Sequence, residues 1–297
     1  LPDTVRFTVA AGDDGARLDQ VLARGVPGLS RRRARVLIDI GGVFVDRTRV
    51  KVSGRLVRKG QEIEATLGGA LERATGAGAT AMPAPPPLAI VYEDDDLIVV
   101  EKPAGLVTAP TPESDRGDLL DQLARRDGGP VFLVHRLDRP TSGLLVFARS
   151  RDANRVLAER FVAHDIEREY LAIVEGTVAD SVATIDRPLR GQRAVTHVVA
   201  RTALAGGRAT ELRVRLETGR THQIRLHLTS IGHPVLGDGE HGNESSRRFR
   251  PRPPRLALHA TVLGFLHPLS GAPLRWERPW PDDVAAWLAT LRTEVST

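Results

Sequence analysis

The 297-residue sequence contains no cysteine, which excludes disulfides, thiol nucleophiles and cysteine-built zinc sites. No apolar run approaches the ~20 residues that cross a bilayer as a helix, so membrane insertion is not expected. No charged-then-apolar leader opens the chain, so a secretory signal is not expected and a cytoplasmic location fits. A glycine-rich phosphate loop and an HExxH pair are both missing. The nine histidines include His222, His227 and His233, whose spacings of five and six do not align ligands on one helix face. A metal is not expected. No internal repeat is visible.

What is present is unevenly spread. The net charge is +5, yet residues 1–65 carry 13 Lys+Arg against 8 Asp+Glu, while the other 232 residues carry 29 of each. A basic N-terminal segment on a neutral body suggests a polyanion-binding module. The bias toward arginine suits bidentate phosphate contacts, and a GC-rich genome would produce it too. Residues 66–87 (TLGGALERATGAGATAMPAPPP) are rich in Gly, Ala and Pro and lack a sustained apolar period. They read as a linker between segments 1–65 and 88–297.

In the first segment, Arg17–Leu22 starts a short amphipathic helix, and Ser30 is an N-cap candidate for a second. There Val36, Leu37 and Ile40 are expected to face a core, with Arg31, Arg32 and Arg35 exposed. Short β-like runs follow at 43–45 and 62–65, around a basic turn at 58–60. After the linker, apolar runs at 88–92 and 97–101 read as a hairpin. Helices are expected at 119–126, 151–163 and 220–231, and strands at 170–174, 210–216 and 256–266. A last helix, capped by Asp282, places Val284, Trp287, Leu288 and Leu291 on one face. Strands dominate without strict βαβ alternation. The expected class is therefore α+β, a mixed and mostly antiparallel sheet flanked by helices, preceded by a small α/β domain.

The most informative stretch is His135-Arg136-Leu137-Asp138-Arg139-Pro140-Thr141-Ser142-Gly143. It sets a carboxylate beside two arginines, between the apolar runs 131–134 and 144–147. Buried strands ending in such a loop hold a reactive side chain rigidly at a surface. In isolation, Asp138 would read first as a turn aspartate capping a loop.

This HRLDxxTSG string resembles the catalytic signature of the RluA-type pseudouridine synthases. The resemblance continues in order through Glu101-Lys102-Pro103-Ala104-Gly105, Arg168-Glu169-Tyr170-Leu171-Ala172, Gly219-Arg220-Thr221-His222-Gln223-Ile224-Arg225, Gly237-Asp238 and Leu258-His259-Ala260. It spans nearly all of residues 88–292. Residues 15–65 resemble the αL-type RNA-binding module of a small-subunit ribosomal protein and of tyrosyl-tRNA synthetases. Glu101, Ala109, Pro140 and His241 depart from the usual family residues, which weakens inference about the target uridine.

The resemblance implies an isomerase that breaks the C–N glycosidic bond of uridine, turns the base and rejoins it through carbon, without a cofactor. It implies Asp138 as the catalytic carboxylate, nucleophile or base, Arg225 as its salt-bridge partner and Tyr170 as the residue stacked on the base. Arg136 is implied to enter the RNA stem, and Leu258 to floor the pocket. His135, Thr141, Arg220, His222 and Gln223 are implied substrate contacts, with Arg31, Arg32 and Arg35 as RNA contacts of the first domain. The expected partner is RNA, large-subunit ribosomal RNA first and transfer RNA as the alternative, bound by a monomer. A catalytically silent ribosome-assembly factor is the rival from another class.

Overall fold

The computed structural model describes residues 4–67, 88–109 and 118–293; most of the expected linker lies outside them. The chain divides into two units, the first of residues 1–86 with 110–118 and the second of residues 87–109 with 119–297.

The first unit contains β1 (Thr4–Thr8), α1 (Leu18–Gly25), α2 (Arg31–Asp39), β2 (Val43–Val45), β3 (Thr48–Arg49) and β4 (Glu62–Thr66). The strands form an antiparallel sheet in the order β1-β4-β2-β3. Ser30 caps α2, its Oγ accepting from the Arg33 N–H at 3.3 Å. The buried stripe of α2 is Ala34, Leu37 and Ile38, packed with Leu18, Val21 and Leu22 of α1. Ile40 is 42% exposed, contrary to expectation, because α2 ends at Asp39 and Ile40 is its C-cap. Arg31 and Arg35 are not exposed either. Both turn toward Asp19, a carboxylate without solvent exposure, at 3.8 and 2.7 Å, and Arg17 joins them at 3.1 Å. A buried charge must be paired, so these arginines hold the fold together. Arg32 alone of the three is exposed.

The second unit contains β5 (Ala89–Glu93), β6 (Leu97–Lys102), α3 (Leu119–Asp127), β7 (Phe132–Leu133), β8 (Ser142–Ala148), α4 (Arg151–Val162), β9 (Glu167–Glu175), β10 (Thr184–Asp186), β11 (Val195–Leu204) and β12 (Ala209–Leu216). It continues with α5 (Gln223–Ser230), α6 (Glu244–Arg248), β13 (Leu258–Leu266), β14 (Pro273–Glu277) and α7 (Asp282–Thr293). One mixed sheet runs β10-β11-β12-β9-β13-β8-β6-β5, with β14 on β13 and β7 on β8. Among the described residues, β8 and β13 are its parallel neighbours and the other pairs are antiparallel. The α+β class is thus observed.

Strands β6 and β8 are apolar without alternation because both of their faces are covered. Ile98, Val100, Leu145 and Phe147 enter a core shared with α3, α5 and α7. Leu97, Val99, Leu144 and Val146 enter a second core with Ala153 and Leu157 of α4. Two helix starts differ from expectation. Residues 220–222 fold as a separate turn, ending at His222 with φ 55°, so α5 begins only at Gln223. Asp282 lies in the first turn of α7 rather than at its cap.

Candidate active site

Asp138 sits in the connection between β7 and β8, opposite the end of β6. Three sets of bonds fix that connection. Thr108 Oγ1 donates to the Leu137 carbonyl at 2.9 Å and accepts from the Leu137 N–H at 3.2 Å. The Gly105 N–H donates to the Arg139 carbonyl at 2.7 Å, and Arg139 Nε returns a bond to the Gly105 carbonyl at 3.1 Å. Lys102, without solvent exposure, donates to the carbonyls of Leu106, Pro103 and Arg139 at 2.7, 3.0 and 3.3 Å. Burial lowers the Lys102 ammonium to about 7 despite the opposing pull of Asp138. The loop closes on itself through Thr141 N–H to the Asp138 carbonyl, 3.1 Å.

Gly143, the last residue of the signature, lies with Ser142 in the parallel contact with β13. Its φ is +120°, and a Cβ there would lie 2.3 Å from the Ala260 carbonyl oxygen. Only glycine lets the two backbones approach this closely. The junction brings Leu258, on the first turn-facing end of β13, beside the Asp138 loop.

A cavity of about 460 Å³ opens here, lined by Asp138, Tyr170, Arg225, His135, Arg136, Thr141, Arg220, His222, Gln223 and Leu258. Every residue expected in this unit's site therefore meets at one place, although 122 positions separate Arg136 from Leu258. The Asp138 side chain is 19% exposed, enough to meet a substrate. Arg225 Nη1 lies 3.4 Å from its Oδ2. Arg225 holds Asp238 more closely, Nε to Oδ2 at 2.7 Å and Nη2 to Oδ1 at 2.8 Å, and Nη2 also reaches Glu240 at 3.1 Å. These carboxylates outweigh burial and hold the guanidinium firmly charged.

Tyr170 lies in mid-β9 between β12 and β13, facing Val214 and Ala260. Burial pushes its phenol up and Asp138 adds to this, while Arg168 opposes. The group is therefore a neutral phenol around neutrality. Arg168 stands two residues earlier on the same face of β9 and lines the cavity with Phe161 beneath its guanidinium, 5.2 Å from the ring centroid. Thr141 Oγ1 is buried in the cavity wall without a protein hydrogen-bond partner.

Several expected contacts are committed to the scaffold. Gln223 Oε1 accepts from Thr218 Oγ1 at 2.7 Å and the Arg220 N–H at 3.0 Å; Nε2 donates to the Val195 carbonyl and Thr196 Oγ1. Its amide is thus fully used in shaping the 218–223 turn. His135 stacks on Phe161 at 4.5 Å, and its Nε2 accepts the Val146 N–H at 3.2 Å. Burial, aided by Arg168, lowers this imidazole to about 3, so it stays neutral. Arg220 Nε donates to the Arg193 carbonyl at 3.0 Å. His222 keeps Nε2 3.8 Å from Asp138 and shares a 2.8 Å hydrogen bond with His241 through Nδ1. His227 and His233, by contrast, bond to Thr196, the Arg187 carbonyl and the Glu175 carbonyl.

Sequence reasoning passed over Lys102, Arg168, Asp238, Glu240 and His241. Arg168 had a signal, its i, i+2 spacing from Tyr170. Asp238 had one as well, following a glycine in a recognised motif. Glu240 had none, and His241 stood out only as a departure from the usual family residue; what both touch depends on where Arg225 and His222 lie.

Comparison with known proteins gives the family. The model of the RNA pseudouridylate synthase family matches residues 96–230 and that of the S4 domain residues 16–63. The Ribosomal large subunit pseudouridine synthase D of Xanthomonas campestris is 36% identical over 94% of this chain and 90% of its own length. That of Nitrosomonas europaea is 37% identical over 98% and 88%. The structure of human RNA Pseudouridylate Synthase Domain Containing 1 superposes with a TM-score of 0.54 at 28% identity, over 65% of this chain and 84% of that one. With such identity over almost its entire length, the chain belongs to the RluA-type RNA pseudouridine synthases, isomerases of uridine in RNA, and carries an N-terminal S4 domain.

Proposed function

We propose that the protein isomerises uridine in large-subunit ribosomal RNA, with Asp138 as the reacting carboxylate. The observation that carries this reading is the Asp138 carboxylate, partly exposed in a cavity it shares with Tyr170 and faced by Arg225 at 3.4 Å. The target follows the printed names of the relatives.

The reaction breaks the bond from the ribose C1′ to N1, rotates the base and joins C1′ to C5. The hydrogen on C5 leaves as a proton and N1, freed from the sugar, takes one up, so that the composition is unchanged. Asp138 serves as nucleophile toward the sugar or as base, and the fixed loop suits either role because both need a carboxylate held in place. Arg225 gives that carboxylate a cationic partner at 3.4 Å in a half-buried site. Tyr170 offers a flat face for the base, and burial, which pushes its phenol up, keeps it neutral rather than a phenolate. Arg168 and Thr141 Oγ1 supply further polar groups facing the base or sugar. Reaching the uridine requires unstacking, at a cost of a few kcal/mol, which the exposed Arg136 beside the cavity offsets by filling the gap.

Residues 1–65 act as a separate RNA grip tethered by 66–87, with Arg32 among its free contacts. In this reading the protein works as a monomer in the cytoplasm. Incubating the protein with unmodified large-subunit ribosomal RNA and with unmodified transfer RNA, then mapping pseudouridine, tests the reading. Product in the ribosomal RNA alone is expected. Product in transfer RNA alone overturns the target, and none in either overturns the assignment.

A further inference from the structure

Arg225 has three nitrogens to give, and the structure distributes them unequally. Nε and Nη2 both go to Asp238, at 2.7 and 2.8 Å, in the fork-to-fork geometry that is the strongest arginine pairing. Only Nη1 points at Asp138, at the longer distance of 3.4 Å.

The Asp238 carboxylate cannot turn away. Its side chain is 1% exposed, and Oδ1 also accepts from the N–H groups of Glu240 and His241, each at 3.0 Å. Burial pushes this carboxyl up, but the bonds from Arg225 and the backbone outweigh it and keep it ionised. The loop is built around that placement. Gly237 has φ +81°, and a Cβ there would lie 2.0 Å from the Arg255 carbonyl oxygen; one on Gly242 would lie 2.4 Å from the Asp238 carbonyl oxygen. Both flanks thus exclude any other side chain.

We propose that Asp238, assisted by Glu240, is a positioning residue for the isomerisation: it holds Arg225 so that one guanidinium arm reaches Asp138 and a closed two-armed pair cannot form. A closed pair would occupy both oxygens of Asp138 and quench the carboxylate. The clamp leaves it faced by a single guanidinium arm and open to substrate. This rests on the reading that Asp138 is the reacting group.

The test uses the full chain and total RNA from cells lacking this protein, tritiated at uridine C5, with tritium release as the readout. Asp238→Asn is expected to lower kcat by roughly 100-fold, the scale of a misplaced catalytic group, with KM and RNA affinity unchanged. Arg225→Lys cannot be gripped through two nitrogens, so it already lacks what the clamp supplies. The double variant Arg225→Lys/Asp238→Asn should therefore have the kcat of Arg225→Lys alone. Wild-type kcat in Asp238→Asn, or losses that multiply in the double variant, would overturn the proposal. If Asp238→Asn does not accumulate, Glu240→Gln decides, because Glu240 is 60% exposed. A several-fold fall in kcat at constant RNA affinity supports the clamp, and wild-type kcat refutes it. Turnover by Asp138→Asn would instead refute the underlying reading. An inactive Asp138→Asn beside a fully active Asp238→Asn refutes only the positioning role.

Discussion

Lys102 shows how much a single buried side chain contributes to this site. The chain has three lysines among its 42 basic residues, and this one is enclosed where the 103–108 turn meets the Asp138 loop. Its ammonium is lowered from 10.5 to about 7, chiefly by burial. The unfolded chain therefore binds more protons than the folded one between pH 7 and 10.5, so this group makes stability rise with pH across that window. Replacing Lys102 with Met should flatten the slope of unfolding free energy against pH there, measured by urea titration at several pH values. An unchanged slope would show that the lysine is not held as described. The motif order already set Asp138, Tyr170 and Arg225 together as one candidate site, and the structure lines a single cavity with all three. The loss of Arg31 and Arg35 to Asp19 was not legible in the sequence. Periodicity marks a helix face as polar without telling whether its charges meet water or a buried carboxylate.

Strands β6, β8 and β13 and helix α7 were readable because burial on one or both faces leaves continuous or periodic apolar runs. Strands β1 and β14 were not expected, and each alternates only between exposed and half-buried positions. Their structure comes from pairing with β4 and β13, which local sequence does not record. The late start of α5 has a similar cause, since Gln223 spends its side chain on the preceding turn. The parallel junction of β8 with β13 depends on Gly143 in a backbone conformation other residues avoid. Gly143→Ala adds a Cβ against the Ala260 backbone and should cost roughly 3 kcal/mol or more. A large fall in melting temperature with loss of activity is expected; a melt within a degree of wild type would contradict the close approach.

The two units carry separate cores, and the basic excess belongs to the first. Deleting residues 1–65 should weaken RNA binding and flatten the dependence of log Kd on log salt, because fewer phosphate contacts release fewer counterions. The melting transition of the remaining unit should persist, since its core is its own. An unaltered salt slope would remove the module from RNA capture. Treatment with a chelator is expected to leave turnover unchanged, as every step assigned above belongs to side chains of the chain itself. The claim at the centre is that one carboxylate, Asp138, converts uridine in large-subunit ribosomal RNA. Asp138→Asn keeps the loop's shape and removes the charge, so pseudouridine mapping on that RNA tests it directly. No product, at RNA affinity within about two-fold of wild type, is the expected result; measurable pseudouridine at the same sites would contradict it.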